Sequence, residues 1–231
     1  MSAQLDFGFR IAPRQLVLDW TWGGTPRREA TVEAPALAPA LSLVDRWPLW
    51  PSPCAALVGP AGSGKSHLAQ LWAARAEAYA LVPERLDGFD PALLGPRPVL
   101  IEDLSAAVLG RRTASVALFH LLNHARGQGS FVLMTARSDP GRWPLALPDL
   151  ASRLAALTLV EVPAPDEATM RAVMARLLAD RQLPCDPALI DAAVPRLDRS
   201  LSACRDLVRR LDRVALATGR PVSARMVREL I

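Results

Sequence analysis

The sequence contains few cysteines and no long apolar run. Its three cysteines, Cys54, Cys185 and Cys204, are an odd number without C-x-x-C spacing, so neither a disulfide framework nor a zinc site is expected. No apolar run approaches the roughly 20 residues that span a bilayer. The first residues, MSAQLDFGF, do not combine a basic start with a long apolar core. We therefore expect a cytoplasmic protein with no signal peptide and no membrane contact.

Lysine is almost absent. Of 27 basic residues, one is a lysine, Lys65, and the others are arginines. The formal net charge of +4 is compatible with nucleic-acid contact but does not indicate it. Lys65 lies in GPAGSGKS, Gly59 to Ser66, which matches the pattern G-x-x-x-x-G-K-[ST]. Because a compact ammonium suits a phosphate in a tight loop better than a planar guanidinium does, the retained lysine supports phosphate binding.

The surroundings of this segment fit a phosphate-binding loop. An apolar run, 54–58, precedes it, and an amphipathic segment, 67–77, follows it. Between a strand and a helix, backbone N–H groups and the helix dipole face a phosphate. Lys65 is expected to reach the β- and γ-phosphates, and the Ser66 hydroxyl to ligate Mg²⁺. The alternative is a glycine-rich turn that carries a surface lysine. The predicted nucleotide-binding residues are Gly59, Pro60, Ala61, Gly62, Ser63, Gly64, Lys65, Ser66 and His67.

Apolar strands alternate with helices through the middle of the chain. This pattern indicates an α/β fold with a parallel sheet covered by helices on both faces. The sequence predicts strands at 54–58, 79–82, 98–103, 131–135 and 157–162, and helices at 36–47, 67–77, 114–126 and 150–154. A further strand at 15–22 is less clearly marked.

After Pro163-Ala164-Pro165 the pattern becomes purely helical. Asp166, Asp186 and Ser200 are expected to begin helices, and a last helix is expected at 222–231. The sequence therefore predicts an N-terminal peptide at 1–12, an α/β nucleotide-binding domain at 13–165 and a small helical lid domain at 166–231.

Two acids follow a buried strand, as in a Walker B motif. Glu102 and Asp103 end the apolar run 98–101, and ligands of open α/β sheets bind at the carboxyl ends of the strands. One carboxylate is expected to hold Mg²⁺ together with Ser66, and this role is assigned to Glu102. Thr135 ends the next strand and is either a sensor of the γ-phosphate or an ordinary strand-terminal residue.

The N-terminal peptide carries apolar side chains at alternate positions. Leu5, Phe7 and Phe9 would share one side of an extended segment. It is either an edge strand on its own domain or a peptide that docks on a partner.

Three other features have plain structural interpretations. Trp47 and Trp50 are expected in the core rather than at a cofactor. His120 and His124 have helical spacing but no third ligand, so a packed or solvated helix face is expected instead of a metal site.

Taken together, these motifs resemble an AAA+ domain of the DnaA branch, and most closely its Hda-type regulators. The helix LPDLASRL, Leu147 to Leu154, resembles the arginine-finger segment of that branch. ALFHLLNHARG, Ala117 to Gly127, is similar to the same branch, as is RLDR, Arg196 to Arg199. The peptide QLDFGF resembles the clamp-binding peptide of the regulators. The resemblance covers almost the whole chain.

The resemblance implies a regulatory role in replication. It implies that Gln4, Leu5, Phe7 and Phe9 bind the sliding clamp of DNA polymerase, and that DNA is contacted only through that clamp. Arg153 is then an arginine finger that acts in trans on ATP bound to DnaA. The bound cofactors are ADP or ATP with Mg²⁺. No helix-turn-helix is expected after the lid, and self-association is left open.

The chain also departs from the family pattern. The first Walker B acid is Glu102 instead of aspartate, and Arg137 replaces an aspartate two places after Thr135. Ser202 stands where a sensor arginine is expected, so that Arg199 or Arg205 would have to substitute. These changes preserve nucleotide binding but argue for weak or absent hydrolysis by the protein itself. The alternative is an autonomous AAA+ ATPase, similar to a helicase loader, that remodels proteins on DNA.

Overall fold

The computed structural model describes Arg28 and residues 31–231. The predicted strand at 15–22 and the four predicted clamp-binding residues lie outside the described residues. Those predictions are therefore not addressed by the fold.

A five-stranded parallel sheet forms the centre of the structure, in the order β2-β3-β4-β1-β5. The strands are β1 (Cys54–Val58), β2 (Tyr79–Leu81), β3 (Val99–Leu104), β4 (Val132–Ala136) and β5 (Thr158–Glu161). Cys54 pairs with Val132, and Ala55 pairs with Thr158. The predicted α/β class and parallel sheet are confirmed, with strand ends that differ from the prediction by one residue or so.

Helices cover both faces of the sheet because its side chains alternate. Ala55 and Leu57 of β1 are buried under the first two helices, whereas Cys54, Ala56 and Val58 are buried under the fourth and fifth. The helices of this part are α1 (Ala38–Arg46), α2 (Lys65–Ala76), α3 (Ala106–Leu109), α4 (Arg112–Gln128) and α5 (Pro148–Ala155). Helix α5 is longer than the helix predicted at 150–154, because Pro148 is tolerated in the first turn.

Aromatic rings fill the core between α1, α2 and the sheet. Trp50 stacks on Trp72 with ring centroids 5.3 Å apart, and Phe131 packs edge-on against Trp50. Trp47 meets Trp72 edge-on. As predicted, Trp50 lies in the core, and Trp47 packs against it, partly buried.

Residues 166–231 form four helices around their own core. These helices are α6 (Glu167–Asp180), α7 (Pro187–Ala193), α8 (Leu201–Thr218) and α9 (Ala224–Leu230). The predicted caps are present, because Asp166 accepts a hydrogen bond from Thr169 N, and Ser200 accepts one from Ala203 N. Met174, Cys204 and Leu211 lie in the shared core. None of the helices in the described residues is long and apolar enough to cross a bilayer.

Candidate nucleotide-binding site

The loop after β1 has the backbone of a phosphate cradle. Gly59, Gly62 and Gly64 have φ angles of 153°, 74° and 104°, which residues other than glycine rarely adopt. A Cβ atom on Gly59 would lie 2.0 Å from the carbonyl oxygen of Val162. The loop then leads directly into α2, whose first residue is Lys65. Glycine is therefore required both for the turn and for the close passage of the next chain segment.

Lys65 is folded into this cradle. Its side chain is 8% exposed. Its Nζ donates hydrogen bonds to the carbonyl oxygens of Gly59, at 2.8 Å, and Pro60, at 2.7 Å. Burial lowers its pKa, while the nearby charge of Asp103 raises it and that of Arg137 lowers it. A buried ammonium at the N-terminus of a helix fits the β- and γ-phosphates of a nucleotide.

The two acids of the predicted Walker B motif point in different directions. Glu102 lies on the face of β3 that α2 covers, and its Oε2 accepts a hydrogen bond from Gln70 Nε2 at 2.9 Å. A bulge after Ile101 turns the strand, and Asp103 is exposed with a φ angle of 52°. Glu102 is therefore the acid beside α2, where Ser66 also lies. The two residues could hold Mg²⁺ there.

Thr135 holds the bulge in place. Its side chain is 1% exposed, and its Oγ1 accepts a hydrogen bond from Asp103 N at 2.8 Å. The hydroxyl is therefore engaged by the protein backbone. Its role as a sensor of the γ-phosphate stays a prediction.

Gln70 is a contact that sequence reasoning missed. It lies four residues after Ser66, so both residues occupy the same side of α2. That spacing could have pointed to it. Nothing in the residue pattern indicated that the carboxylate of Glu102 would reach this amide.

The lid contacts the phosphate loop directly. Leu201 N, at the start of α8, donates a hydrogen bond to the carbonyl oxygen of Gly62 at 2.7 Å. The hydroxyl groups of Ser200 and Ser202 are 2.9 Å apart, beside the same glycine. The start of α8 is therefore in place over the loop.

We expect Gly62→Ala to push the lid away from the loop. A Cβ atom there would lie 2.4 Å from Ser200 Cβ. We expect the free energy of unfolding to fall by about 2–3 kcal/mol, because backbone strain and the clash act together. Thermal unfolding measures this loss. Gly88→Ala is the control, because Gly88 has the same φ of 74° but no atom within 4 Å of the new Cβ. Equal losses in the two variants would contradict the clash.

The two lid arginines named from the sequence differ in position. Arg199 is exposed, and its charge acts on Asp166 near the start of the lid. Arg205 is partly buried, and its Nε donates to the carbonyl oxygen of Leu201 at 3.4 Å. Its charge acts on His67, which follows Ser66. Arg205 is thus the one of the two whose charge acts at the start of α2.

His67 is neutral at physiological pH. Burial, followed by the charge of Arg205, lowers its pKa to about 4. Its Nε2 lies 3.0 Å from Thr31 Oγ1. The start of α2 is therefore tied to the segment that precedes α1.

Arg153 lies at the opposite edge of the sheet from the loop. Burial raises the pKa of the Cys54 thiol to about 11, and the charges of Arg126 and Arg153 oppose that rise. Cys54 begins β1, whereas the loop follows its end, so about 16 Å of strand separates them. No hydrogen bond or ion pair holds the Arg153 guanidinium within the described residues. Arg153 is therefore placed away from its own nucleotide loop.

The histidine pair on α4 has a structural explanation. His124 Nε2 lies 2.8 Å from the carbonyl oxygen of Gly95, and the His120 ring contacts Phe119. In the part of the chain that the structure describes, no group of three or more metal-ligating side chains comes together.

Solved structures with this fold include replication initiators. Domain III of the Thermotoga maritima replication initiation protein DnaA has a TM-score of 0.77 and 18% identity, covering 88% of this chain and 94% of that one. AMPPCP-bound DnaA from Aquifex aeolicus has a TM-score of 0.68 and 15% identity, covering 85% of this chain and 68% of that one. A variant of Thermotoga maritima RuvB has a TM-score of 0.62 and 16% identity, covering 84% of this chain and 65% of that one.

These likenesses establish the fold. The protein has the AAA+ type of P-loop architecture, a parallel sheet followed by a helical lid, as predicted from the sequence. No protein-family model matches the sequence, and neither does any curated protein.

Proposed function

We propose that this protein is an Hda-type regulator of replication initiation. It binds an adenine nucleotide, docks on the sliding clamp through Gln4, Leu5, Phe7 and Phe9, and stimulates hydrolysis of ATP bound to DnaA. The observation that carries the proposal is the position of Arg153. Its charge acts on Cys54 at the start of β1, whereas the loop follows the end of β1, and this separation supports action on a nucleotide held by another subunit.

The packing of α5 supports a finger that acts in trans. Leu150 and Leu154 are 0% and 1% exposed and anchor the helix against the sheet. Arg153 lies next to Leu154 on the partly exposed side. A guanidinium on an anchored helix loses little freedom when it meets a γ-phosphate, where it stabilises the charge that develops during hydrolysis.

The nucleotide is expected to stabilise the fold of the regulator itself. The phosphate loop contacts the lid through Gly62 and Leu201, so phosphates bound there join both parts of the chain. The AMPPCP-bound DnaA neighbour supports an adenine nucleotide, ADP or ATP. Mg²⁺ would be held by Ser66 and Glu102 and would offset the phosphate charge. The protein would act in the cytoplasm, in contact with DNA only through the clamp.

An autonomous ATPase is the second candidate. It is favoured by the two acids at the end of β3, which an AAA+ enzyme uses for metal binding and water activation. In this structure Glu102 accepts a hydrogen bond from Gln70, and Asp103 is paired with Arg137. Each acid is thus engaged by a side chain of the same chain, which supports the regulatory role.

A reconstituted reaction tests the proposal. The purified protein alone is expected to turn over ATP slowly. Together with clamp loaded on DNA, it is expected to accelerate hydrolysis of DnaA-bound ATP, measured as release of labelled phosphate. Fast turnover by the protein alone, with no effect on DnaA, would instead establish the second candidate.

We expect Gln4→Ala combined with Leu5→Ala to abolish capture of the protein on immobilised clamp. These residues begin the docking peptide, and a single short peptide has little binding energy to spare. Affinity for ADP should stay unchanged, because the peptide is remote in sequence from the nucleotide loop. Ser2→Ala combined with Arg10→Ala, which flanks the motif, is the matched control. Unchanged capture of the Gln4 and Leu5 variant would refute the assignment.

A further inference from the structure

A cation lies beside the phosphate loop that no motif assigns to it. Arg137 directly follows Ala136, the last residue of β4, whose carbonyl oxygen accepts a hydrogen bond from Gly59 N at 3.2 Å. Gly59 is the first residue of the loop. The positive charge of Arg137 lowers the pKa of the Lys65 ammonium. Arg137 is therefore a second positive charge next to the lysine that would receive the β- and γ-phosphates.

The present partner of Arg137 holds it weakly. Its Nε and Nη2 each lie 3.4 Å from an oxygen of Asp103. The two side chains are 70% and 68% exposed. Exposed ion pairs with long contacts contribute little free energy, so the guanidinium can leave this carboxylate for a more highly charged anion.

The lid leaves a place for such a cation. Ser202, a small neutral residue, lies beside Gly62 at the start of α8. The charge of Arg199 acts on Asp166, at the beginning of the lid, and that of Arg205 acts on His67. Within the described residues, Arg137 is the arginine whose charge acts on Lys65.

We propose that Arg137 binds the γ-phosphate of ATP in this loop. The inference rests on the nucleotide binding put forward under the proposed function. A planar guanidinium binds two phosphate oxygens at once. ADP lacks the γ-phosphate, so Arg137 stays paired with Asp103 when ADP is bound. The residue therefore makes the protein distinguish ATP from ADP.

Calorimetric titration of Arg137→Ala tests this contact. We expect affinity for AMPPCP, which is not hydrolysed, to fall by roughly ten- to a hundredfold, as for the loss of a hydrogen bond between charged groups. Affinity for ADP should change by less than about twofold. Arg137→Lys keeps the charge but lacks the planar guanidinium, so it should bind AMPPCP more tightly than Arg137→Ala and less tightly than the wild type. Arg142→Ala is the matched control, because Arg142 is 87% exposed in the same connection and pairs with Asp139.

Two results would overturn the inference. Equal losses for AMPPCP and ADP would mean that Arg137 supports the loop, and unchanged affinity for both would mean that it contacts no phosphate. If the wild-type protein still stimulates DnaA in either case, only this inference fails. If AMPPCP binding depends on Arg137 but DnaA is not stimulated, the regulatory role fails and the contact stands. A wild-type protein that binds neither nucleotide would refute both.

Discussion

Arg153→Ala should lower the stimulation of DnaA-bound ATP hydrolysis by about a thousandfold, the magnitude expected when a trans arginine finger is lost. The guanidinium is the part of this chain that would touch the reacting phosphate. Its removal takes away charge stabilisation that exists only in the transition state. Single-turnover hydrolysis of ATP on DnaA, with saturating clamp on DNA, measures the effect.

Binding by the Arg153 variant itself should be intact. The guanidinium lies at the amino edge of β1, far from Lys65, so affinity for ADP should be unchanged. Leu150 and Leu154 keep α5 anchored, so the melting temperature should move little. A lower melting temperature together with lost stimulation would indicate a structural role for Arg153.

Arg126→Ala is the matched control for Arg153. Arg126 is exposed on α4, and its charge also acts on Cys54, so it shares the same edge of the sheet. Its loss should leave stimulation within about twofold of wild type. If Arg126→Ala and Arg153→Ala reduce stimulation equally, the arginines of this edge act through their general positive charge, and Arg153 is not a specific arginine finger.

Lys65→Ala should lower affinity for ADP by about a hundredfold or more. Lys65 carries the buried positive charge of the loop, and its Nζ lies within 2.8 Å of two loop carbonyl oxygens. Charge-assisted hydrogen bonds to phosphate are the strong ones in such a site. Fluorescence titration with a labelled ADP measures the loss, and thermal unfolding without nucleotide shows whether the fold is retained.

Lys65→Arg should fail almost as completely, although it keeps the charge. A guanidinium is larger and planar, and it cannot enter the narrow space between Gly59 O and Pro60 O. Arg75→Lys is the control, because Arg75 lies in the last turn of the same helix, away from the loop. Arg75→Lys should bind ADP normally. Wild-type affinity in Lys65→Arg would show that charge alone suffices and that the scarcity of other lysines has no functional meaning.

The sequence alone determined the features that depend on neighbouring residues. The loop from Gly59 to Ser66, the apolar strands and the capped lid helices each follow from local spacing. Predicted boundaries differ from the structure by about one or two residues in most elements, because strand pairing and first-turn residues such as Pro148 extend or shorten them.

The tertiary structure decided which side chains meet at the site. Glu102 contacts Gln70, and Asp103 contacts both Thr135 and Arg137. These partners are 32 to 34 residues apart in sequence. The bulge in β3 and the packing of α2 set the directions of the Glu102 and Asp103 side chains. Neither feature can be predicted from the residue pattern. Thr135, predicted as a sensor, supports the bulge in this structure, and its sensor role stays a prediction.

The tertiary structure also decided that Lys65 and Arg153 lie at opposite edges of the sheet. The sequence places Lys65 and Arg153 on one chain and marks both by motif. Only the parallel sheet shows that they lie at opposite ends of the strands, because Lys65 follows the end of β1 and Arg153 precedes β5. Parallel strands bring all of their carboxyl ends to one edge and their amino ends to the other. For that physical reason Arg153 lies at the edge of the sheet away from the loop that carries Lys65.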